Sequence, residues 1–131
     1  MGATEASIDR KAWDTIRSYG VTGAEDLLAK VMAKYLQESQ RMIENMRRAV
    51  EKGDLSLTGK IAHTLKSSSA MLGAPELVRM LKGMELSCGK SQTGQVGGGD
   101  NSPETLLKAI EEEYRAVRRE MEMEMAKSER K

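Results

Sequence analysis

Apolar residues recur every three or four positions along most of this chain, which is the spacing of an amphipathic helix. No segment alternates apolar and polar residues in the way that a half-buried strand would. The pattern predicts five helices, over residues 9–19, 22–52, 54–72, 75–88 and from 102 onward. The clearest stripe belongs to the last helix and consists of Leu107, Ile110, Tyr114, Val117 and Met121.

Capping residues mark several of the predicted helix ends. Thr22 opens a capping-box pattern at the start of the second helix. Gly53 suits the end of that helix, and Asp54 suits the N-cap of the third. Ser102 precedes a proline and an acidic residue, which is typical of a helix start. The apolar stripe of the second helix is interrupted at residues 38–40, and this predicts a bend there.

The predicted helices cannot each stand alone, because each has a single apolar stripe that must be buried against a neighbour. We therefore expect an all-α fold, an antiparallel four-helix bundle with a short additional N-terminal helix, formed by residues 1–131 as one domain. Residues 1–8 are expected to form a tail and the glycine-rich residues 89–101 a flexible loop. Residues 122–131 are expected to fray.

The composition narrows the classes of function. Lys and Arg number 21 against 20 Asp and Glu, and a net charge of +1 argues against nucleic-acid binding. No apolar run approaches the length of a membrane span and no secretory signal is visible, so we expect a cytoplasmic protein without membrane insertion. Cys88 is the only cysteine, which excludes an internal disulfide. His63 is the only histidine, so the sequence offers few of the ligands that a metal site uses.

The only histidine falls on the side of the third helix that lies opposite its apolar stripe. At 100° per residue, His63 is about 200° from Ile61, whereas the other apolar-stripe residues stay within about 40° of it. We therefore expect His63 to face solvent. The stripe consists of Ile61, Leu65, Ser68 and Leu72. The residues near His63 on the opposite side are small, apart from one lysine: Gly59, Lys66, Ser67, Ala70 and Ala74.

These neighbours give the exposed histidine a chemical context. Small residues let another protein approach the imidazole closely, whereas an ordinary exposed helix face carries long charged side chains. An imidazole is a nucleophile at neutral pH. Lys66 at i+3 reaches the same surface and can pair with anionic oxygens, while Ser67 at i+4 can donate a hydrogen bond. The exposed histidine with these neighbours has the properties of a reversible phosphoryl acceptor. The alternative interpretation is that these residues form an ordinary solvated helix face.

Residues 62–74 read Ala-His-Thr-Leu-Lys-Ser-Ser-Ser-Ala-Met-Leu-Gly-Ala. This string closely resembles the pattern of histidine-containing phosphotransfer (HPt) domains, which is roughly A-H-x-L-K-G-S-[SA]-x-x-x-G-A. The resemblance extends over about residues 9–120. It implies a four-helix bundle without a kinase or nucleotide-binding domain. Such a domain receives a phosphoryl group from the aspartate of one receiver domain and passes it to the aspartate of another.

The resemblance also implies roles for individual residues. His63 would be the phosphorylated residue and Lys66 would stabilise the phosphoryl group. Gly73 and Ala74 would provide close packing near the histidine helix. Ser67 stands where many members have glycine, and because both residues are small we expect docking to survive and the hydroxyl to help hold the phosphate. The receiver would supply an acidic pocket with Mg²⁺, so we expect this chain to hold no cofactor of its own.

Helical geometry outlines a docking surface around His63. It includes Gly59, Lys60 and Ala70, with the apolar Met71 at its edge. The expected partners are receiver domains of a hybrid sensor kinase or of response regulators. We expect the chain to act as a monomer.

Other functions are compatible with the same helical pattern. A phosphate-independent helical adaptor would bind its partners equally well after replacement of His63. A dimerising histidine-kinase fragment also presents a histidine on a bundle, but it usually follows that histidine with acidic and arginine residues. It also needs an ATP-binding domain, for which 131 residues leave no room. Haem or metal binding through His63 lacks a second ligand at a suitable spacing.

Overall fold

The computed structural model describes residues 8–19, 27–92 and 102–129. Every regular element within these ranges is an α-helix, which confirms the predicted all-α class. The five helices are α1 (Arg10–Ser18), α2 (Leu27–Lys52), α3 (Leu55–Met71), α4 (Pro75–Gln92) and α5 (Pro103–Glu129).

Four of these helices form the predicted bundle. Helix α2 packs against α3 and α5, and α4 packs against the same two helices, so α2 to α5 form a ring in chain order. The turns at residues 53–54 and 72–74 are short, which makes α2 and α4 antiparallel to α3. The most extensive contact is between α3 and α4. Helix α1 is the additional helix and packs against α2.

The core is built mainly from the aliphatic and methionine side chains that the four bundle helices direct inward, and the N-terminal segment adds Ile8, Trp13 and Ile16. Methionines supply much of its volume because their unbranched side chains fill irregular space between helices. Four of them are fully buried: Met32, Met46, Met84 and Met121. The stripe of α5 is buried as its spacing predicted.

The core also contains two pairs of buried hydroxyl groups, one of which explains the interruption in the stripe of α2. The helix runs unbroken through Ser39, whose Oγ lies 2.6 Å from the hydroxyl of Tyr114 on α5. The hydroxyl of Tyr35 lies 2.7 Å from Oγ of Ser69 on α3. Buried polar groups require such partners, so these pairs fix how α2 sits against both of its neighbours.

The capping residues act as predicted wherever the structure describes them. The side chain of Asp54 accepts a hydrogen bond from the backbone N–H of Leu57 and caps α3. Gly53 has a φ of +73°, the left-handed conformation typical of a helix C-terminus. Oγ of Ser102 accepts from the backbone N–H of Thr105 at the start of α5. The predicted capping box at Thr22 lies outside the described residues.

The segment that is expected to fray, residues 122–131, is helical in α5 as far as Glu129. Helix α1 contacts α5 near the start of this segment, at Glu120 and Glu124. The carboxylate of Glu124 forms ion pairs with Arg10 and Arg17, and Arg10 also pairs with Glu120 at 2.9 Å. The period of α5 alone does not reveal these partners.

Two further segment boundaries differ from the prediction. Residues 89–92 of the predicted glycine-rich loop belong to α4, and residues 93–101 lie outside the described part of the chain. Of the predicted N-terminal tail, residues 1–7 are likewise outside it, whereas Ile8 is buried in the core.

Helix α1 is seated on the turn between α3 and α4. Trp13 is fully buried, and its Nε1–H donates to the backbone oxygen of Leu72 at 2.9 Å. The backbone N–H of Asp9 donates to the oxygen of Gly73 at 2.6 Å. Gly73 has a φ of +77°, and a Cβ there would lie 2.5 Å from the oxygen of Asp9 and 2.7 Å from Cβ of Ala12. Only glycine fits this turn.

We predict that Gly73→Ala lowers the free energy of unfolding by about 3 kcal/mol, because the new Cβ combines an unfavourable φ with a backbone clash. The matched control is Gly83→Ala within α4, where a Cβ would meet nothing within 4 Å. That change should raise stability by about 0.5–1 kcal/mol, since alanine has the higher helix propensity. Urea unfolding measures the change in unfolding free energy for each variant. Equal changes for the two substitutions would contradict the requirement for glycine at position 73.

Candidate functional site

The exposure of His63 follows from the way α3 buries its opposite face. Thr58, Ala62, Leu65 and Ser69 recur every three or four residues and are buried. The side chain of His63 lies on the other side of the helix and is 63% exposed.

The buried face of α3 is rotated from the predicted one by about 50° around the helix. Ile61 and Ser68, which the apolar pattern placed in the core, are only partly buried. Ala62 and Ser69 take the central positions because their small side chains let α3 pack closely, and Ser69 has the hydroxyl of Tyr35 as its partner. This rotation turns His63 from directly outward towards the edge that α3 shares with α4.

At that edge, a carboxylate from α4 contacts both residues singled out on α3. Nδ1 of His63 lies 2.7 Å from Oε2 of Glu85. Nζ of Lys66 donates to Oε1 of the same carboxylate, also at 2.7 Å. The side chains of Lys66 and Glu85 are 25% and 26% exposed, so the pair is partly sheltered beneath the more exposed histidine.

The charge on Glu85 determines which ring nitrogen is free. The hydrogen bond from Lys66 is the main cause that lowers the pKa of the Glu85 carboxyl; partial burial opposes it and the His63 contact adds to it. An ionised carboxylate only accepts hydrogen bonds, so Nδ1 must carry the proton and donate. In a neutral imidazole, Nε2 then holds the lone pair. No described residue bonds Nε2, and the exposed ring presents it to solvent.

An open groove of about 600 Å³ runs beside His63 between the start of α3 and the end of α4. At its base the two helices approach closely, since a Cβ on Gly59 would lie 3.5 Å from Cβ of Cys88. Burial raises the pKa of the Cys88 thiol, which disfavours the nucleophilic thiolate. Of the imidazole and the thiol that line this groove, the imidazole is therefore the better nucleophile. The lining residues are Leu55, Ser56, Gly59, Lys60, His63, Thr64, Glu85, Cys88 and Gly89.

Most of the predicted docking residues share the exposed side of α3. Gly59 and Lys60 line the groove, and Ala70 and the 59% exposed Met71 continue the same side towards the end of the helix. Oγ of Ser67 donates to the backbone oxygen of His63 in a long bond of 3.5 Å. This hydroxyl is exposed and only weakly held by its own helix.

Gly73 and Ala74 do not belong to the surroundings of His63. Both follow the end of α3, where Gly73 packs against the N-terminal segment and Ala74 is fully buried. Gly73 lies ten positions after His63, about 15 Å along the axis at the rise of an α-helix. Their close packing therefore holds α1 and the α3–α4 turn, and the expectation that they pack beside the site is corrected.

The sequence did not identify Glu85, which lies 22 residues from His63. Met84 and Cys88 are buried and belong to the apolar stripe of α4, which places Glu85 at the margin of the buried face. The sequence alone did not indicate which margin faces α3. Among the described residues no three His, Cys, Asp or Glu side chains converge, so Glu85 acts as a single carboxylate.

Fold and site together define an all-α bundle that presents one oriented histidine on the outer face of a central helix. The model of the Hpt domain family matches residues 30–120, and the chain belongs to this family. Hpt domains are phosphotransfer intermediates rather than kinases, and they interact with receiver domains in phosphorelays.

A comparison of structures gives the same fold. The crystal structure of histidine-containing phosphotransfer protein B (HptB) from Pseudomonas aeruginosa PAO1 matches with a TM-score of 0.80 and 18% sequence identity. The match covers 95% of this chain and 98% of that one. No curated protein sequence matches the chain. Across the described ranges, none of the helices is long and apolar enough to span a membrane.

The ion pair at the site predicts a pH dependence of stability. The folded pKa of Glu85 lies below the unfolded value of about 4.3, so its contribution is present above that value and is lost as pH falls through the folded pKa. We predict that the difference in unfolding free energy between wild type and Glu85→Gln shrinks as the pH falls below about 4. Urea unfolding at several pH values measures it.

The control for this experiment is Lys66→Gln, which removes the principal cause of the lowered pKa. Its difference from wild type should shrink over the same acidic range. A Glu85→Gln difference that is as large at pH 3.5 as at pH 7 would show that the charge of Glu85 does not contribute.

Proposed function

We propose that Nε2 of His63 accepts a phosphoryl group from the aspartate of a receiver domain and passes it to the aspartate of another receiver. The contact between Nδ1 and Glu85 carries this proposal, because it leaves the lone pair on the exposed ring nitrogen. Glu85 is thus a positioning residue, since it selects the tautomer and the orientation of the nucleophile. Membership of the Hpt family supports the reaction class.

The transfer balances without a further reactant. The lone pair of Nε2 attacks the phosphorus, the N–P bond forms, and the P–O bond to the donor aspartate breaks. Its electron pair stays on the aspartate carboxylate. Such a loose phosphoryl transfer needs positioning and charge neutralisation more than covalent assistance.

Residues of both partners would provide that neutralisation. Lys66 can move part of its interaction from Glu85 to the phosphoryl oxygens, since the ammonium has three donors. Ser67 can exchange its long bond to the backbone for one to the phosphoryl group. The receiver brings its acidic pocket with Mg²⁺, so this chain needs no cofactor of its own.

The docking surface that we propose is the exposed side of α3 together with the groove. Gly59 and Lys60 would contact the receiver on one side of His63, and Ala70 with Met71 on the other. The apolar stripes of the helices are buried against one another within the bundle. This supports action as a monomer, because these stripes need no second chain to cover them. The expected compartment is the cytoplasm. The likeness to a protein described as a histidine-containing phosphotransfer protein supports the same arrangement.

We predict that His63→Gln abolishes phosphorylation while leaving the fold intact, because the side chain is exposed and outside the core. The protein is incubated with a phosphorylated receiver domain and Mg²⁺, and an acid-labile, base-stable phosphate on the chain is measured. Circular dichroism and thermal unfolding check the fold. Label that persists on the variant would assign the phosphate elsewhere, and a folded wild type that several receivers fail to label would favour the adaptor function.

We predict that Lys66→Gln slows phosphorylation of His63 by about ten- to a hundredfold, the value of one charge-assisted hydrogen bond in the transition state. Single-turnover transfer from a phosphorylated receiver measures the rate. The control is Lys108→Gln, which removes the same charge from an exposed position on α5. Equal rates for wild type and the Lys66 variant would exclude the role of the lysine.

A further inference from the structure

The contact between Glu85 and His63 has a consequence for the phosphorylated state, which rests on the function proposed above. Before transfer, the neutral ring carries one proton, on Nδ1, and that proton is donated to Oε2 of Glu85. When Nε2 attacks phosphorus, the ring acquires a phosphoryl group without losing this proton. The immediate product is therefore a phosphoimidazolium, a ring that is protonated on Nδ1 and phosphorylated on Nε2.

We propose that the carboxylate of Glu85 retains the proton on Nδ1 for as long as Nε2 carries the phosphoryl group, so that His63 passes it on from the phosphoimidazolium form. The positive ring and the negative carboxylate are joined by a 2.7 Å hydrogen bond, which favours the charged form of both. A neutral amide at this position would accept the same hydrogen bond, but it has no negative charge to stabilise the positive ring.

Onward transfer depends on this proton. An oxygen of the receiving aspartate attacks phosphorus, the O–P bond forms, and the P–N bond breaks with its electron pair returning to Nε2. With Nδ1 protonated, the leaving group is the neutral imidazole of the resting state. With Nδ1 deprotonated, the leaving group is an imidazolide anion, which is far more basic and leaves far more slowly. Retention of the proton lets both transfers proceed without proton exchange with solvent.

The other charged and titratable groups that face the ring come from the two helices lining the groove. On α3, Lys60 and Lys66 are positive and disfavour a positive ring, although the phosphoryl group itself compensates. On α4, Cys88 is a buried thiol that disfavours its charged form. Among the residues that the structure describes, Glu85 is the only carboxylate that lines the groove and the only one in contact with His63. The retained proton is therefore assigned to this single contact.

The test compares wild type with Glu85→Gln, both phosphorylated on His63 by phosphoramidate. Each is mixed with an excess of an unphosphorylated receiver domain and Mg²⁺, and single-turnover loss of phosphate from His63 is followed at pH 6, 7 and 8. The ratio of variant to wild-type rates removes the pH dependence of the receiver. We expect a ratio near one at pH 6, where both proteins keep the proton on Nδ1, and about one tenth at pH 8, where only the wild type keeps it.

The pH profile separates this effect from the release of Lys66 in the variant. A free lysine that holds the phosphoryl group more tightly changes the rate by the same factor at every pH. Glu76→Gln removes a carboxylate from the far end of α4, where Glu76 pairs with Arg79, and should give a ratio of one throughout. A Glu85→Gln ratio that does not vary with pH overturns the proposal while the phosphotransfer function stands. Failure of wild type to pass phosphate to any receiver overturns both.

A direct measurement on wild type does not depend on any variant. In the phosphorylated, ¹⁵N-histidine-labelled protein, the nitrogen shifts of His63 should still report a protonated Nδ1 at pH 8. Loss of that proton at the same pH as in free Nε2-phosphohistidine would overturn the proposal.

Discussion

The close packing of α3 against α4 is the constraint on which the site depends. The two helices are joined by a three-residue turn at 72–74 and meet through small residues, with Gly59 placed against Cys88. Glycine is required in the turn itself, because Gly73 has a positive φ and no room for a side chain. With this approach fixed, Glu85 reaches across to His63 and Lys66 at hydrogen-bond distance.

Helix α3 carries its core residues on one face and the exposed histidine on the other. Its buried face holds Ala62 and Leu65 in the core and binds the hydroxyl of Tyr35 through Ser69. The partly exposed contact between Lys66 and Glu85 adds little to stability, since such surface pairs contribute about 0–1 kcal/mol. Glu85 also holds the imidazole through Nδ1, and the buried face of α3 does not depend on this exposed group of side chains.

The parts of the fold that follow from local pattern were predictable, and the parts that follow from distant contacts were not. Helix period and capping gave the five helices, the cap at Asp54 and the exposure of His63. The predicted stripe misplaced the buried face of α3, because Ser69 and not Ser68 enters the core, where it has a hydrogen-bond partner from another helix. The contacts between α1 and α5 were missed for the same reason, since Glu124 pairs with arginines more than 100 residues away. To predict the contact of Glu85 with His63, one must know how α3 and α4 are rotated relative to each other. The apolar pattern of a single helix does not contain that information.

The pairing of Lys66 with Glu85 also resolves an electrostatic conflict at the site. In the proposed transfer, the carboxylate that holds the proton on Nδ1 would also repel the incoming phosphoryl group, by about 0.7 kcal/mol per pair of charges at 6 Å in water. Lys66 bonds the other oxygen of the same carboxylate, so the two charges largely cancel beyond the site. The ring thereby keeps its orienting partner at 2.7 Å while the approaching phosphoryl group meets a nearly neutral pair. Because the lysine is shared and not fixed, its donors can turn to the phosphoryl oxygens when the group arrives and return to Glu85 when it leaves, as a reversible carrier requires.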